Sequence, residues 1–174
     1  MNLREREEEL KALSVHPDDV EIAVTVSCAG MSNHYTVCPF EFKDFLDEHE
    51  GTSYIAFEWH NFPNDLQDEE LDFDELDALF SLEDSQREIC ELLYDNRVCM
   101  SYEDAAEKVE DCWVFEGTKE EYAEHVTSEL MGIRSEDIPA ILRSNINWGD
   151  VFIDLDADGS IFELSRNRYL TVNQ

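Results

Sequence analysis

Asp154, Asp156 and Asp158 recur at every second position and lead into Gly159, the spacing at which a calcium loop supplies its first side-chain oxygens and then turns sharply. The twelfth position of such a loop is Ser165, where coordination calls for a bidentate Glu, and Glu163 comes two residues early. The same residues also read as an Asp-Gly turn joining two short segments. A weak calcium-binding loop over 154–165 therefore stands as an alternative. Cys28, His34 and Cys38 carry zinc-type donors, but no fourth ligand follows at a zinc-site spacing. The chain contains no GxSxG, HExxH, P-loop or GxGxxG pattern, so no catalytic residue and no cofactor are assigned.

What the chain does carry in quantity is carboxylate. Its 174 residues hold 43 Asp plus Glu against 12 Lys plus Arg, a formal net charge of -31. Between residues 12 and 86 the only Lys or Arg is Lys43. On helical spacing the acids fall into rows: Asp68, Asp72 and Glu75; Asp84, Glu88, Glu91 and Asp95; Glu103, Glu107 and Glu110; Glu120 and Glu124. Like charges at i,i+4 destabilise a helix by about 0.2–0.5 kcal/mol per pair, so such rows oppose folding and call for another reason to exist. A solvated face explains one row more easily than it explains all of them, since ordinary soluble surfaces mix both signs. Adaptation to high salt and mimicry of a polyanion both account for the repetition. At about one charge per 1.7 Å of axis, 31 net charges equal roughly 50 Å of duplex DNA. Carboxylates one helical turn apart rise about 6 Å per step, close to the spacing of successive phosphates. Direct binding to nucleic acid or to an anionic membrane is excluded by repulsion, and the expected partners are basic.

The elements that must position these acids follow from patterning. With 43% apolar residues, 11% aromatics and only 6 Gly and 4 Pro, the chain is expected to fold despite its charge. Residues 3–13 read as a helix held by local Arg4–Glu8 and Glu7–Lys11 pairs. Segments 20–28 and 34–38, rich in β-branched residues, predict a hairpin, 40–49 a helix and 53–59 a strand. From Asp68 to Asp111 the period is helical, in three short helices, the last capped by Ser101 with Asp104 three positions on. Residues 112–116 read as a strand, Thr118 with Glu121 as a capping box opening a helix to about Met131, and Ser135–Arg143 as a further short helix. An amphipathic segment ending at Leu155 and strands near 160–164 and 168–172 close the chain. The expected fold is α+β: an elongated chain of three small domains, 1–62 α+β, 63–111 mainly helical and 112–174 α+β. Elongation spreads the charge. A homodimer is expected through the C-terminal third, where Arg134, Arg143, Arg166 and Arg168 relieve the charge and Trp148, Phe152 and Tyr169 offer apolar area. No apolar run approaches bilayer length and the start lacks a signal peptide's apolar core, so a cytoplasmic location is expected.

Read in order, CPFEFKDFLDEH, SYIAFEWHNFP, LDFDELDALFSLED, VCMSYEDAAEKVEDCWVF, TKEEYAEHVTSELMG and INWGDVFIDL make the chain resemble the ArdA antirestriction proteins over roughly residues 20–172. The resemblance lies in the succession of elements and in local patterns: an acid and aromatics before Phe62–Pro63, an acidic Leu-rich helix holding Glu75–Leu76, a Tyr-Ala-Glu helix, and Asn147–Trp148 followed by Asp154–Leu155. It implies a non-enzymatic protein of mobile elements, dimeric and built of three small domains, that mimics bent duplex DNA and occupies the DNA-binding groove of type I restriction-modification enzymes. The chain departs from that family at its start, where a charged helix and VEIAVTVSC replace a strand with Tyr-Asn and a glycine turn.

Overall fold

The computed structural model describes residues 3–157 and 159–173. Its described residues form a mixed α+β protein with eight α-helices and two three-stranded sheets. The chain divides into two compact units, the first ending at Ser81 and the second beginning at Leu82, a boundary inside the 63–111 stretch. No described helix is long and apolar enough to cross a membrane.

The first unit runs α1 (Leu3–Ala12), β1 (Ala23–Cys28), β2 (His34–Val37), α2 (Pro39–Glu48), β3 (Tyr54–His60) and α3 (Phe73–Phe80). Its sheet has the order β2-β1-β3, all antiparallel, with Val24 opposite Val37 and Ser27 opposite His34. β1 is central and almost wholly buried, which suits its β-branched Val24, Thr25 and Val26. α2 starts with Pro39 in its first turn, where a missing N–H costs nothing, and turns Phe42 and Phe45 inward. Those rings join Val24, Val26, Val37, Leu10 and Leu76 in one core, each buried side chain contributing about 1.5–3 kcal/mol.

The first helix holds more than itself. Arg4 and Glu8 pair at 3.4 Å as the spacing predicts. Glu7, however, turns onto the β1–β2 hairpin, where its Oε1 accepts from the Ser32 amide at 3.3 Å, the Asn33 side chain at 3.2 Å and the Tyr35 hydroxyl at 3.0 Å. The expectation of a purely local ladder is corrected: one of its acids is a tertiary anchor, because Leu10 buries the helix against the sheet and brings Glu7 over the turn.

The second unit runs α4 (Asp84–Asp95), α5 (Tyr102–Lys108), β4 (Cys112–Glu116), α6 (Lys119–His125), α7 (Ala140–Arg143), α8 (Trp148–Leu155), β5 (Ile161–Ser165) and β6 (Arg168–Val172). Its antiparallel sheet has β6 in the centre, order β4-β6-β5, with Trp113 opposite Thr171 and Glu116 opposite Arg168. Tyr122 of α6 is the hub of the core: it stacks on Trp113 at 5.5 Å, meets Phe152 at 5.4 Å and Tyr169 at 5.8 Å, and its hydroxyl bonds Thr171 at 2.7 Å. α4 and α5 pack through Cys90, Leu93, Tyr102 and Ala105, with Tyr94 stacked on Tyr102 at 4.5 Å.

The three helices expected between Asp68 and Asp111 are α3, α4 and α5. Ser101 accepts from the Asp104 amide at 3.1 Å, and Thr118 and Glu121 form the expected reciprocal box. Two expectations shift. The helix expected to reach Met131 ends at His125 and loosens into a π-turn over Val126–Leu130, with Gly132 beyond it at φ 71°. The helix expected over 135–143 splits into a 3-10 turn, Ser135–Asp137, and the short α7, because Pro139 cannot donate inside a helix and instead precedes its first turn.

Candidate functional site

The acid rows are built on helices whose other faces are spent on the cores. α4 opens with a capping box between Glu83 and Gln86 and buries Cys90 and Leu93 completely, which leaves Asp84, Glu88 and Asp95 exposed on the remaining surface. Glu91 belongs to the same row but is half-buried, and its carboxyl is pushed above the ordinary value, first by that burial and then by the neighbouring charge of Asp95. On α5, Glu103 and Glu107 are exposed, and Glu110 continues outward in the 3-10 turn Val109–Asp111. On α6, Glu120 is exposed and Glu124 half-buried.

One row is not what its spacing suggests. α3 begins only at Phe73, so Asp68 lies in the preceding loop with its Oδ1 accepting from the Glu69 amide at 2.6 Å. Asp72 is the N-cap, accepting from the Glu75 amide at 3.1 Å, and Glu75 alone of the three stands on the helix, half-buried. The capping preference of Asp overrides the helical spacing here. Both aspartates remain exposed.

The rows also carry a cation that spacing does not reveal. Arg168 of β6 donates to Glu88 and lies 3.8 Å from Glu116, so the middle of the α4 row is bridged to the sheet. Hydrogen bonding to Glu88, reinforced by its charge, raises the Arg168 pKa further. This arginine is engaged within its own chain, in a role the expected relief of charge at a dimer contact does not include.

An acidic cavity of about 960 Å³ opens beside α6, lined by Glu116, Glu121, Glu124, Glu129 and Glu136 and also by Arg134. Glu116, Glu129 and Glu136 escape a row-by-row reading because they come from a strand end, a π-turn and a 3-10 turn. Only the fold brings them beside Glu121 and Glu124.

The aromatic residues expected at a dimer contact are placed differently. Phe152 and Tyr169 are 6% and 2% exposed, and Trp148 is half-buried against the same core. Their area is used inside the unit, since α8 packs against α6 and β6 lies in the sheet's centre. The apolar surface of this third is carried instead by Ile141 and Leu142 of α7, 77% and 57% exposed, with Met131, Ile133 and Ile153 also outward. α7 is fastened by Arg143, whose guanidinium donates to the carbonyls of Glu136 at 3.1 Å and Ile138 at 3.0 Å.

Of the calcium alternative, Asp154 is exposed in the last turn of α8, and Asp156 accepts from the Ile161 amide at 3.3 Å as a turn residue does. Asp158 lies outside the described residues. Glu163 is paired with Lys119 at 3.2 Å. The zinc-type donors are separated by the hairpin: Cys28 is at one end of β1, while Cys38 follows Val37, which pairs with Val24, about 13 Å away along the strand. Burial pushes the Cys28 thiol up to about 11, as it does Cys112. Neither a comparison with protein-family models nor one with curated protein sequences finds a match to this chain.

Proposed function

We propose that this protein is a non-enzymatic mimic of duplex DNA that occupies the basic DNA-binding groove of a type I restriction-modification enzyme. The observation that carries the reading is the standing of carboxylates on the outward faces of successive helices, α4, α5 and α6, in a chain of net charge -31. A basic groove built to take phosphates would take such an array by the same electrostatics, with affinity that falls as salt screens the charges and as fewer counterions are released. The succession of elements that resembles the ArdA antirestriction proteins supports the same target class. No group need react, so no cofactor enters the proposal.

The proposal includes an extended, three-domain arrangement, which lowers the self-repulsion of the charge, and a cytoplasmic site of action, where restriction occurs. It also includes a homodimer. Residues 131–149 hold Arg134 and Arg143 against Glu136 and Asp137, a neutral stretch in a strongly acidic chain, and Ile141 and Leu142 stand out from it. Two like-charged bodies meet most cheaply at such a patch. The test is a cleavage assay with purified type I enzyme, unmodified target DNA and this protein. Inhibition that rises with protein and is relieved by excess DNA supports the proposal; cleavage unchanged by a molar excess refutes it.

A further inference from the structure

α2 ends on His49, whose backbone N–H bonds the carbonyls of Phe45 and Leu46 and whose carbonyl accepts from the Thr52 hydroxyl at 2.7 Å. The side chain is 3% exposed, with its ring packed T-shaped on Phe45, centroids 4.6 Å apart. A fixed, buried imidazole is costly unless its nitrogens are used. Its Nε2 faces the Glu9 carboxylate of α1 at 2.9 Å, and Glu48, exposed at the helix end, brings a third donor so that all three ligand atoms lie within 4.8 Å of one another. One carboxylate suffices to hold a histidine in place. Two carboxylates converging on one buried imidazole, at the negative end of a helix and in a chain of net charge -31, make a favourable place for a cation. Of the cations on the same two helices, Arg4 and Lys43 are engaged with Glu8 and Asp47, each at 3.4 Å, and Arg6 and Lys11 also stand on α1.

We infer that Glu9, Glu48 and His49 form a binding site for a first-row divalent transition ion of the cobalt–zinc type, clipping α1 to α2. One nitrogen and two carboxylate oxygens suit such ions and are a poorer match to magnesium or calcium, which prefer all-oxygen shells. With metal–ligand bonds of about 2.0–2.2 Å, tetrahedral donors stand about 3.3 Å apart. Nε2 and the Glu9 oxygen need separate by only about 0.4 Å from their 2.9 Å contact. Glu48 swings in from solvent, and at least one position stays open to water. The ion takes the place of the proton between Nε2 and Glu9, which moves to Nδ1 or leaves to solvent. Because α1 buries only Leu10, the clip adds a hold on a helix with little core of its own. It is independent of the DNA-mimic proposal.

The test is a cobalt(II) titration of the full chain, followed by visible d–d absorption, by broadening of the His49 ring signals in NMR and by thermal melting, with magnesium as the probe of ordinary surface carboxylates. A saturable site of one ion per chain, broadening His49 first and raising the melting temperature, is expected. Glu48→Gln, which leaves the His49–Glu9 contact intact, is expected to weaken cobalt binding by about tenfold or more while the metal-free melt is not lowered. His49→Gln is expected to abolish the d–d signal; should it not fold, Glu48→Gln and the broadening pattern decide. Cobalt and magnesium binding alike, His49 signals unaffected, or full cobalt affinity in Glu48→Gln would each overturn the inference.

Discussion

Glu7→Ala tests whether α1 is a tertiary anchor or a local helix. The mutation removes three hydrogen bonds to the hairpin, from the Ser32 amide, the Asn33 side chain and the Tyr35 hydroxyl. The Tyr35 bond is the costly one: this residue is 5% exposed and keeps only the longer Asn33 contact, at 3.4 Å. Its loss costs about 1–2 kcal/mol, and the two exposed bonds add a few tenths each, for roughly 2 kcal/mol in all. Alanine returns about 0.4 kcal/mol of helix propensity, and relief of like-charge repulsion returns a few tenths more. The expected net loss is about 1–2 kcal/mol. Glu8→Ala is the control, since its partner Arg4 and Glu8 itself are 88% and 70% exposed and such pairs contribute about 0–1 kcal/mol. The assay is hydrogen exchange at the β1–β2 amides alongside urea unfolding. Equal stabilities of the two variants, or hairpin amides in Glu7→Ala protected as in the wild type, would refute the reasoning.

Glu91 is held above its ordinary carboxyl pKa by burial and by Asp95, so between its unfolded and folded values the native state binds the extra proton and stability falls as pH rises. Glu91→Gln is expected to raise the melting temperature at neutral pH and to flatten its dependence through the carboxylate range; a lower neutral-pH melt contradicts this. With their pKa moved from 9.0 to about 11, Cys28 and Cys112 are expected to alkylate about a hundredfold more slowly in the native protein than after unfolding, read by mass spectrometry at neutral pH. Ile141→Asp combined with Leu142→Asp is expected to shift sedimentation toward monomer while the circular dichroism stays that of the wild type, because both side chains stand outside the core.

The legible parts of the fold were those fixed by local chemistry. β-branched runs marked the β1–β2 hairpin, and hydroxyl–carboxylate pairs three residues apart marked the starts of α5 and α6. What local chemistry cannot supply is the direction a side chain takes once elements pack. Glu7 and Arg168 read as surface charges and become cross-links, because packing carries them over distant partners. Phe152 and Tyr169 read as an outward apolar patch and become core, while Ile141 and Leu142, on a helix of one turn, are left outside. Within the candidate site the α4 and α5 rows were visible as spacing, but Asp68 and Asp72 were not separable from a helix, since an N-cap aspartate satisfies the same spacing. The acids around the α6 cavity were invisible as a group because they come from unrelated elements.

Displacement of labelled duplex DNA from a purified type I restriction-modification enzyme tests mimicry most directly. The account predicts that this protein displaces the DNA competitively and less well as salt is raised. A variant with Asp84→Asn, Glu88→Gln, Glu91→Gln and Asp95→Asn is predicted to displace it more weakly while remaining folded. DNA that stays bound under a large excess of the protein at low salt, or a fourfold variant as effective as the wild type, would contradict it.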